Sequence, residues 1–334
     1  MSETENLSLA AIEALSFDAL RRAGASEPQA RPLARDTAVT EAMGVASHGL
    51  AYIPIYAEHL RCGKVLGDAV PTVETPRPAA VVVSAGNGFA HAAIDAGLPL
   101  AMDAARSQGI AVLSIRESYN CGVLGVHALR IAQSGLVGLC FTNAPASIAP
   151  SGGATPVVGT NPIALGAPDG AGGASLLIDQ SASAIAKSEV MKHAREGKPI
   201  PEGWALDADG QPTTDPNVGL KGSMAPAGGY KGVGLGLIVE TFAAALSGAV
   251  LGKDASPFSG PAGGPPATGQ CFVLIDPDAT SGGEFAARMA ALTQAITAQP
   301  GARLPGVNRQ SAMERAAQNG VDVSAAILER VRAI

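Results

Sequence analysis

Between residues 79 and 142 the chain alternates short β-branched runs with helix-spaced stretches, and this alternation constrains the fold more than any other feature. Residues 79–84 and 110–115 read as strands, and residues 90–107 between them as a helix that Pro99 is placed to kink. A helix over 124–133 then leads to a strand over 136–142. Such a pattern predicts an α/β chain. A doubly wound nucleotide-binding domain would add Gly-x-Gly-x-x-Gly between strand and helix, and no such unit occurs. Gly232, Gly234 and Gly236 have the wrong spacing and no preceding strand, so they read as close-packing glycines of a helix.

On the N-terminal side, Leu9, Ile12, Leu15 and Leu20 mark a helix over 9–23 ending at Gly24. Ser26, Glu27 and Pro28 start a second helix that runs to Gly44 and delivers Ala46, Ser47, His48 and Gly49 just past its end. Residues 144–169 are rich in Pro and Gly and predict an ordered irregular loop. A strand over 176–179, a helix over 183–196 and a turn-rich stretch over 198–216 follow. An apolar helix over 232–246, a strand over 270–275, an amphipathic helix over 283–298 and a short helix over 325–332 complete the reading, without internal repeats.

Several function classes are disfavoured. A net charge of -6 without a run of Lys and Arg argues against a nucleic-acid footprint. Cys62, Cys121, Cys140 and Cys271 form no CxxC pair, so neither a zinc site nor a disulfide scaffold is expected, and no metal is assigned. The start, MSETENLSLA, is acidic where a signal peptide is basic, and the longest apolar stretch, 233–252, is interrupted by Glu240. The expectation is a cytoplasmic protein with no membrane or nucleic-acid partner. With 334 residues, 47% of them apolar, the chain can build two lobes that share a cleft.

Three motifs could carry chemistry. Ser47, His48 and Gly49 join an imidazole to a hydroxyl at a helix end, which suits a general acid but equally a turn histidine. Pro150 to Gly153 with Gly159, Thr160, Asn161 and Pro162 offer amides and hydroxyls to an anion, or simply make turns. Residues 226–232, PAGGYKG, set Tyr230 and Lys231 before an apolar helix, where an ammonium and helix-end amides could hold a phosphate or the lysine could be merely solvated.

Together these motifs and their order resemble the malate/L-lactate dehydrogenase family, whose members lack the Rossmann fold. The resemblance spans nearly the whole chain: SHGLAYIPIYAEHL at 47–60, NGFAHAAIDAGLPLAMDAARSQGIAVLSI at 87–115, GTNPIALGAP at 159–168, IPEGWALDADGQPTTDP at 200–216, PAGGYKG at 226–232 and RLPG at 303–306. It implies a non-Rossmann α/β fold with two lobes around a cofactor cleft. The helical, substrate-binding and dimerising lobe falls on 1–75 with 245–334, and the cofactor lobe on 76–244. It also implies a homodimer that binds NAD or NADP.

Carried over residue by residue, the resemblance makes His48 the proton donor, assisted by Ser47 and by a carboxylate that falls on Glu189, with Tyr52 and Thr160 at the substrate. Cofactor contacts fall on Asn120, Cys121, Gly122, Val123 and Leu124, on Asp179, Gln180 and Ser181, on Tyr230 and Lys231, and on Arg303, Leu304, Pro305, Gly306 and Arg309. The implied reaction is hydride transfer between nicotinamide and C2 of a small 2-hydroxy or 2-oxo acid of the sulfolactate, malate or lactate type. The alternative is NADPH-dependent reduction of a cyclic 2-imino acid such as piperideine- or pyrroline-2-carboxylate. A hydrolase built on Ser47 and His48 would lack a Gly-x-Ser-x-Gly elbow. Two departures bear on substrate. Tyr52 stands where many members carry an Arg for the substrate carboxylate, and a phenol cannot make that bidentate pair. Residues 118–122 read SYNCG where many members have a His, a version that resembles the sulfolactate dehydrogenase branch.

Overall fold

The computed structural model describes residues 3–334. Strand β1 (Thr4–Leu7) leads into α1 (Leu9–Arg22) and α2 (Glu27–Ala42), and two 3-10 turns, Ala46–His48 and Leu50–Tyr52, precede α3 (Ile53–Arg61). A hairpin of β2 (Thr72–Arg77) and β3 (Ala80–Ser84) opens the main sheet. It continues through α4 (Ala90–Gln108), β4 (Ile110–Ser118), α5 (Leu124–Gln133), β5 (Val137–Thr142), β6 (Ile163–Pro168) and β7 (Ala174–Gln180). An excursion follows, built from α6 (Lys187–Glu196), β8 (Ala205–Leu206), β9 (Pro212–Thr213), α7 (Pro216–Lys221) and β10 (Ser223–Met224). Then come α8 (Tyr230–Glu240), β11 (Thr268–Ile275), α9 (Asp278–Ser281), α10 (Phe285–Thr297), α11 (Val307–Asn319), β12 (Val321–Ser324) and α12 (Ala325–Arg332).

The main sheet has the order β2-β3-β4-β11-β5-β6-β7, and only β3 and β4 pair in parallel. It is therefore mixed rather than doubly wound, as the missing glycine motif predicts. Side chains alternate across it with a period of two. On one face Cys140 and Phe272 join the core formed with α4 and α5, while on the other Phe141 and Cys271 pack with Val239 of α8 and Ala243. A second core joins α1 and α2 to α12 and to Phe89 and Tyr119. A third gathers Ile148, Val158, Ile200 and Met224 in the excursion. The two lobes expected from the sequence share the main sheet: β11 comes from residues 245–334 and lies between strands of the 76–244 segment.

Most predicted elements appear within a few residues, and the exceptions have local causes. Residues 144–169 are not wholly irregular, because 163–168 form β6 against β5 and β7. The helix expected from 183 starts at Lys187, since the backbone N–H of Ala184 donates to Ala225 O (2.8 Å) and Ser183 Oγ to Ile185 O (2.7 Å). The helix expected over 232–246 starts at Tyr230, after Gly229 at φ 65, and turns π-helical over Thr241–Ala245. Pro99 leaves α4 a single helix.

Helix α5 lies close on the sheet because β6 presents a glycine to it. A Cβ at Gly166 would stand 2.2 Å from Ala128 O, a backbone atom that cannot move aside. Gly234 in α8 has no neighbour within 4 Å of such a Cβ. We expect Gly166→Ala to destabilise the protein by about 3 kcal/mol, and Gly234→Ala to be neutral or stabilising by up to about 1 kcal/mol, both read from denaturant unfolding midpoints. A Gly166→Ala variant within about 0.5 kcal/mol of the parent would refute this packing.

Candidate active site

Strand directions bring the site segments to one edge of the sheet. Because β11 is antiparallel to both β4 and β5, those two strands run the same way, and their C-terminal ends emerge together. The antiparallel partners β6 and β7 then put the start of β6 and the end of β7 at that edge, with Phe141 opposite Ile163 and Ile163 opposite Gln180. The 120–124 turn, Thr160, and Asp179 to Ser181 therefore share one rim, the position where open α/β sheets bind ligands.

His48 sits in the first 3-10 turn beyond α2, half-buried, with its Nδ1 3.0 Å from the exposed Ser47 Oγ. Glu41 of α2 holds the following backbone, accepting from the N–H of Leu50 at 2.7 Å. The charges acting on His48 are those of Asp179 and Arg309, which pair with each other at 2.7 Å. Burial lowers its pKa from the ordinary value, Asp179 opposes that shift and Arg309 adds to it. The Tyr52 ring lies parallel to the His48 ring, 3° between planes and 6.1 Å between centroids, and meets Tyr56 edge-on at 4.8 Å. Its hydroxyl faces Tyr119 and Asn120, and burial raises its pKa, so it stays a neutral phenol.

The 120–124 turn is fixed from below. Asn120 Oδ1 accepts from Gly122 N (2.8 Å) and Tyr56 OH (3.2 Å), and Gly122 adopts φ 68. Cys121, Val123 and Leu124 turn their side chains into the core, and burial pushes the Cys121 thiol up to about 12. Asp179 and Arg309 close over this turn, since a Cβ at Gly125 would lie 2.9 Å from Asp179 Oδ2 and 3.0 Å from Arg309 Nη1. Arg303, Leu304 and Pro305 lead to Gly306, whose φ of 86 and close approach to Leu177 O admit no side chain.

Gln180, Ser181, Ser183, Ile185, Lys231 and Leu235 line an open depression of about 500 Å³. Its walls are tied together by backbone bonds from Ala182 N to Thr160 O and from Ala227 N to Ala182 O, both 2.8 Å. Asn161 is held at φ 37 by bonds from Nδ2 to Gly236 O (3.0 Å) and Glu240 Oε2 (2.7 Å). Lys231 and Tyr230 are exposed at the start of α8. Glu189 lies on the first turn of α6 and, among the described residues, makes no side-chain hydrogen bond or ion pair. Asp36, His91 and His127, buried beneath the 120–124 turn, were missed in the sequence. Their only signal was polarity on helix faces that are otherwise apolar.

The model of the malate/L-lactate dehydrogenase family matches residues 7–332. The chain is 40% identical to the (2R)-3-sulfolactate dehydrogenase (NADP(+)) of Chromohalobacter salexigens over 327 residues, 98% of this chain and 97% of that protein. It is 38% identical to the Δ1-pyrroline-2-carboxylate reductase of Ancylobacter novellus, covering 100% of this chain and 98% of that protein. The crystal structure of Δ1-piperideine-2-carboxylate reductase from Pseudomonas syringae pv. tomato superimposes with a TM-score of 0.94 at 37% identity, covering 99% of both chains. On its sequence, from end to end, and on its fold, the chain belongs to the malate/L-lactate dehydrogenase family.

Proposed function

We propose that this oxidoreductase transfers a hydride between NADPH and C2 of a small 2-oxo or 2-hydroxy acid, with His48 as the proton donor in reduction. The observation that carries this reading is that the Asp179–Arg309 ion pair, at the rim that also holds the 120–124 turn, acts electrostatically on His48, which lies 3.0 Å from Ser47 Oγ. The donor set suits a dinucleotide phosphate: Lys231, exposed at the N-terminus of an eleven-residue helix, lines the same depression as Ser181 and Gln180. The NADP(+)-linked sulfolactate dehydrogenase of Chromohalobacter salexigens, 40% identical, favours NADP over NAD. When bound, the nicotinamide supplies the hydride. The chain's residues do the rest: His48 holds the proton for the C2 heteroatom, Ser47 orients the ring through Nδ1, and Asp179 stabilises the charged imidazole. We assign the supporting carboxylate to Asp179 rather than Glu189. Thr160 and Tyr52 are assigned to the substrate side.

A second reading, reduction of a cyclic 2-imino acid, is favoured by Tyr52 and Tyr56, which present an aromatic wall where a carboxylate-binding Arg would otherwise stand. The 40% and 38% identities to relatives of the two kinds do not separate the readings. A panel of 2-oxo and 2-imino acids with NADPH and NADH separates them: turnover of the cyclic imino acids alone would overturn the first.

We further assign a homodimer formed through the outer face of α8, where Leu237 and Ile238 are each 50% exposed and Leu246, just beyond, 64%. Light scattering should give twice the 33.3 kDa chain mass for the parent, and the single-chain mass for Ile238→Asp. A monomeric parent would contradict the assignment. No helix among the described residues is long and apolar enough to cross a membrane. The four free cysteines support a cytoplasmic location, which cell fractionation tests.

Reduction consumes a protonated His48, so its kcat/KM should fall as pH rises through a pKa that burial holds below the ordinary imidazole value. Oxidation uses the neutral ring as base and should rise through the same pKa. We expect His48→Ala to lower kcat by about 10²–10⁴-fold, to abolish this inflection and to leave the NADPH dissociation constant nearly unchanged. An unaltered kcat would remove His48 from the mechanism.

A further inference from the structure

Under the 120–124 turn lies a cluster of polar groups that the reaction does not use. Asp36 of α2, His91 in the first turn of α4 and His127 of α5 are each at most 3% exposed. Asp36 Oδ2, His91 Nδ1 and His127 Nδ1 have no hydrogen-bonding partner among the described residues, and the three side chains each bring one nitrogen or oxygen within 4.8 Å of the others. Three buried polar atoms left without partners would be costly, at about 1–3 kcal/mol each.

The opposite ends of two of these side chains fix what the free ends can do. His127 Nε2 lies 2.9 Å from Cys121 O. A carbonyl only accepts, so Nε2 carries the proton, and in the neutral ring Nδ1 offers a lone pair. Burial lowers the His127 pKa and so favours that neutral ring. Asp36 Oδ1 accepts from Arg35 Nε at 3.0 Å, leaving Oδ2 as a second acceptor, 3.9 Å from His127 Nδ1. Two acceptors facing each other at this distance need a donor between them. Asp36 and His91, with Thr40, His48, Cys121 and Gly122, line a cavity of about 10 Å³, which is close to the room one water needs.

We propose that one water molecule is a fixed part of this enzyme, donating to Asp36 Oδ2 and His127 Nδ1 and accepting from His91 Nδ1–H, and that this node positions the 120–124 turn for cofactor. A neutral occupant follows from the surrounding charges. Arg35 and Arg130 already balance Asp36 and Asp95, so a divalent cation would bring two uncompensated charges into a buried space. The spacing agrees: nitrogen and oxygen ligands around a tetrahedral zinc stand about 3.4 Å apart, less than the 3.9 Å found here. The link to the turn is direct. His127 holds Cys121 O, and His91 Nε2 is the atom that a Cβ at Gly122 would meet at 3.1 Å. Asp36, His91 and His127 are thus positioning residues, and their effect on cofactor rests on the function proposed above.

The test compares NADPH dissociation constants, kcat and metal content for the parent, His127→Phe, His127→Gln and Lys231→Ala. His127→Phe keeps the ring against Phe272, 5.7 Å away between centroids, but loses both nitrogens. We expect it to weaken NADPH binding about tenfold with kcat at saturating NADPH nearly unchanged. His127→Gln, which can still donate to Cys121 O, should recover most of the loss, whereas a merely structural role would lower thermal stability without this split. If Lys231→Ala weakens NADPH binding and His127→Phe does not, the positioning role is wrong; if neither does, the cofactor assignment itself is wrong. The parent alone decides the occupant: imidazole ¹⁵N shifts should report His127 as the neutral Nε2–H tautomer, with no bound metal. A stoichiometric metal that only strong chelation removes would overturn the water.

Discussion

The structure depends on the insertion of β11 between β4 and β5. A strand drawn from the last quarter of the chain must find its register between two strands that precede it by more than a hundred residues, and buried polar groups specify that register. Ser118 Oγ donates to Gln270 Oε1 (2.9 Å), Gln270 Nε2 to Thr142 Oγ1 (3.2 Å), and Gly269 N to Asn143 Oδ1 (2.8 Å). A slip of one residue would leave these groups unpaired and exchange Cys271 with Phe272 between the two faces of the sheet. All three bonds lie at the end of the sheet where the candidate rim forms, so the register that satisfies them also sets the height at which the 120–124 turn emerges.

What gathers at that rim is a division of labour among elements rather than a single motif. The turn after β4 supplies a backbone platform, the end of β7 a carboxylate, and α11 the Arg309 that pairs with it. The 3-10 turn after α2 brings His48 to the same place, while α8 presents Lys231 at its N-terminus. An ion pair of one aspartate and one arginine acts on His48 from both directions, so its protonation responds to anything that disturbs the pair. Binding of an anionic ligand near Arg309 would be such a disturbance.

The local pattern made much of the fold legible. Helical spacing identified α1, α2 and α12, and the β-branched runs identified β3, β4 and β11, because each buries one regular face. Strand β6 was hidden because Ile163 to Pro168 is short and flanked by turn residues, and becomes a strand only by pairing with β5 and β7. In the site, Ser47, His48, Asp179 and Arg309 could be named from the resemblance, but the pairing of Asp179 with Arg309 could not, since 130 positions separate the two members of the ion pair. Glu189 is named from the resemblance alone, and the start of α6 that carries it depends on a bond from Ala184 to Ala225 that no local pattern reveals. The Asp36–His91–His127 cluster was invisible for the same reason: three helices had to be packed before its members met.

In the proposed reaction this rim aligns C4 of a reduced nicotinamide with C2 of a small 2-oxo or 2-imino acid. Transfer of deuterium tests it most directly. NADPH deuterated on the transferred face of C4 would be turned over with the substrate selected from the panel, and the product analysed by mass spectrometry and proton NMR. Direct hydride transfer should leave one deuterium per product molecule, located at C2, with the heteroatom proton exchanging freely with solvent. Product that carries solvent hydrogen at C2, or deuterium elsewhere, would contradict it.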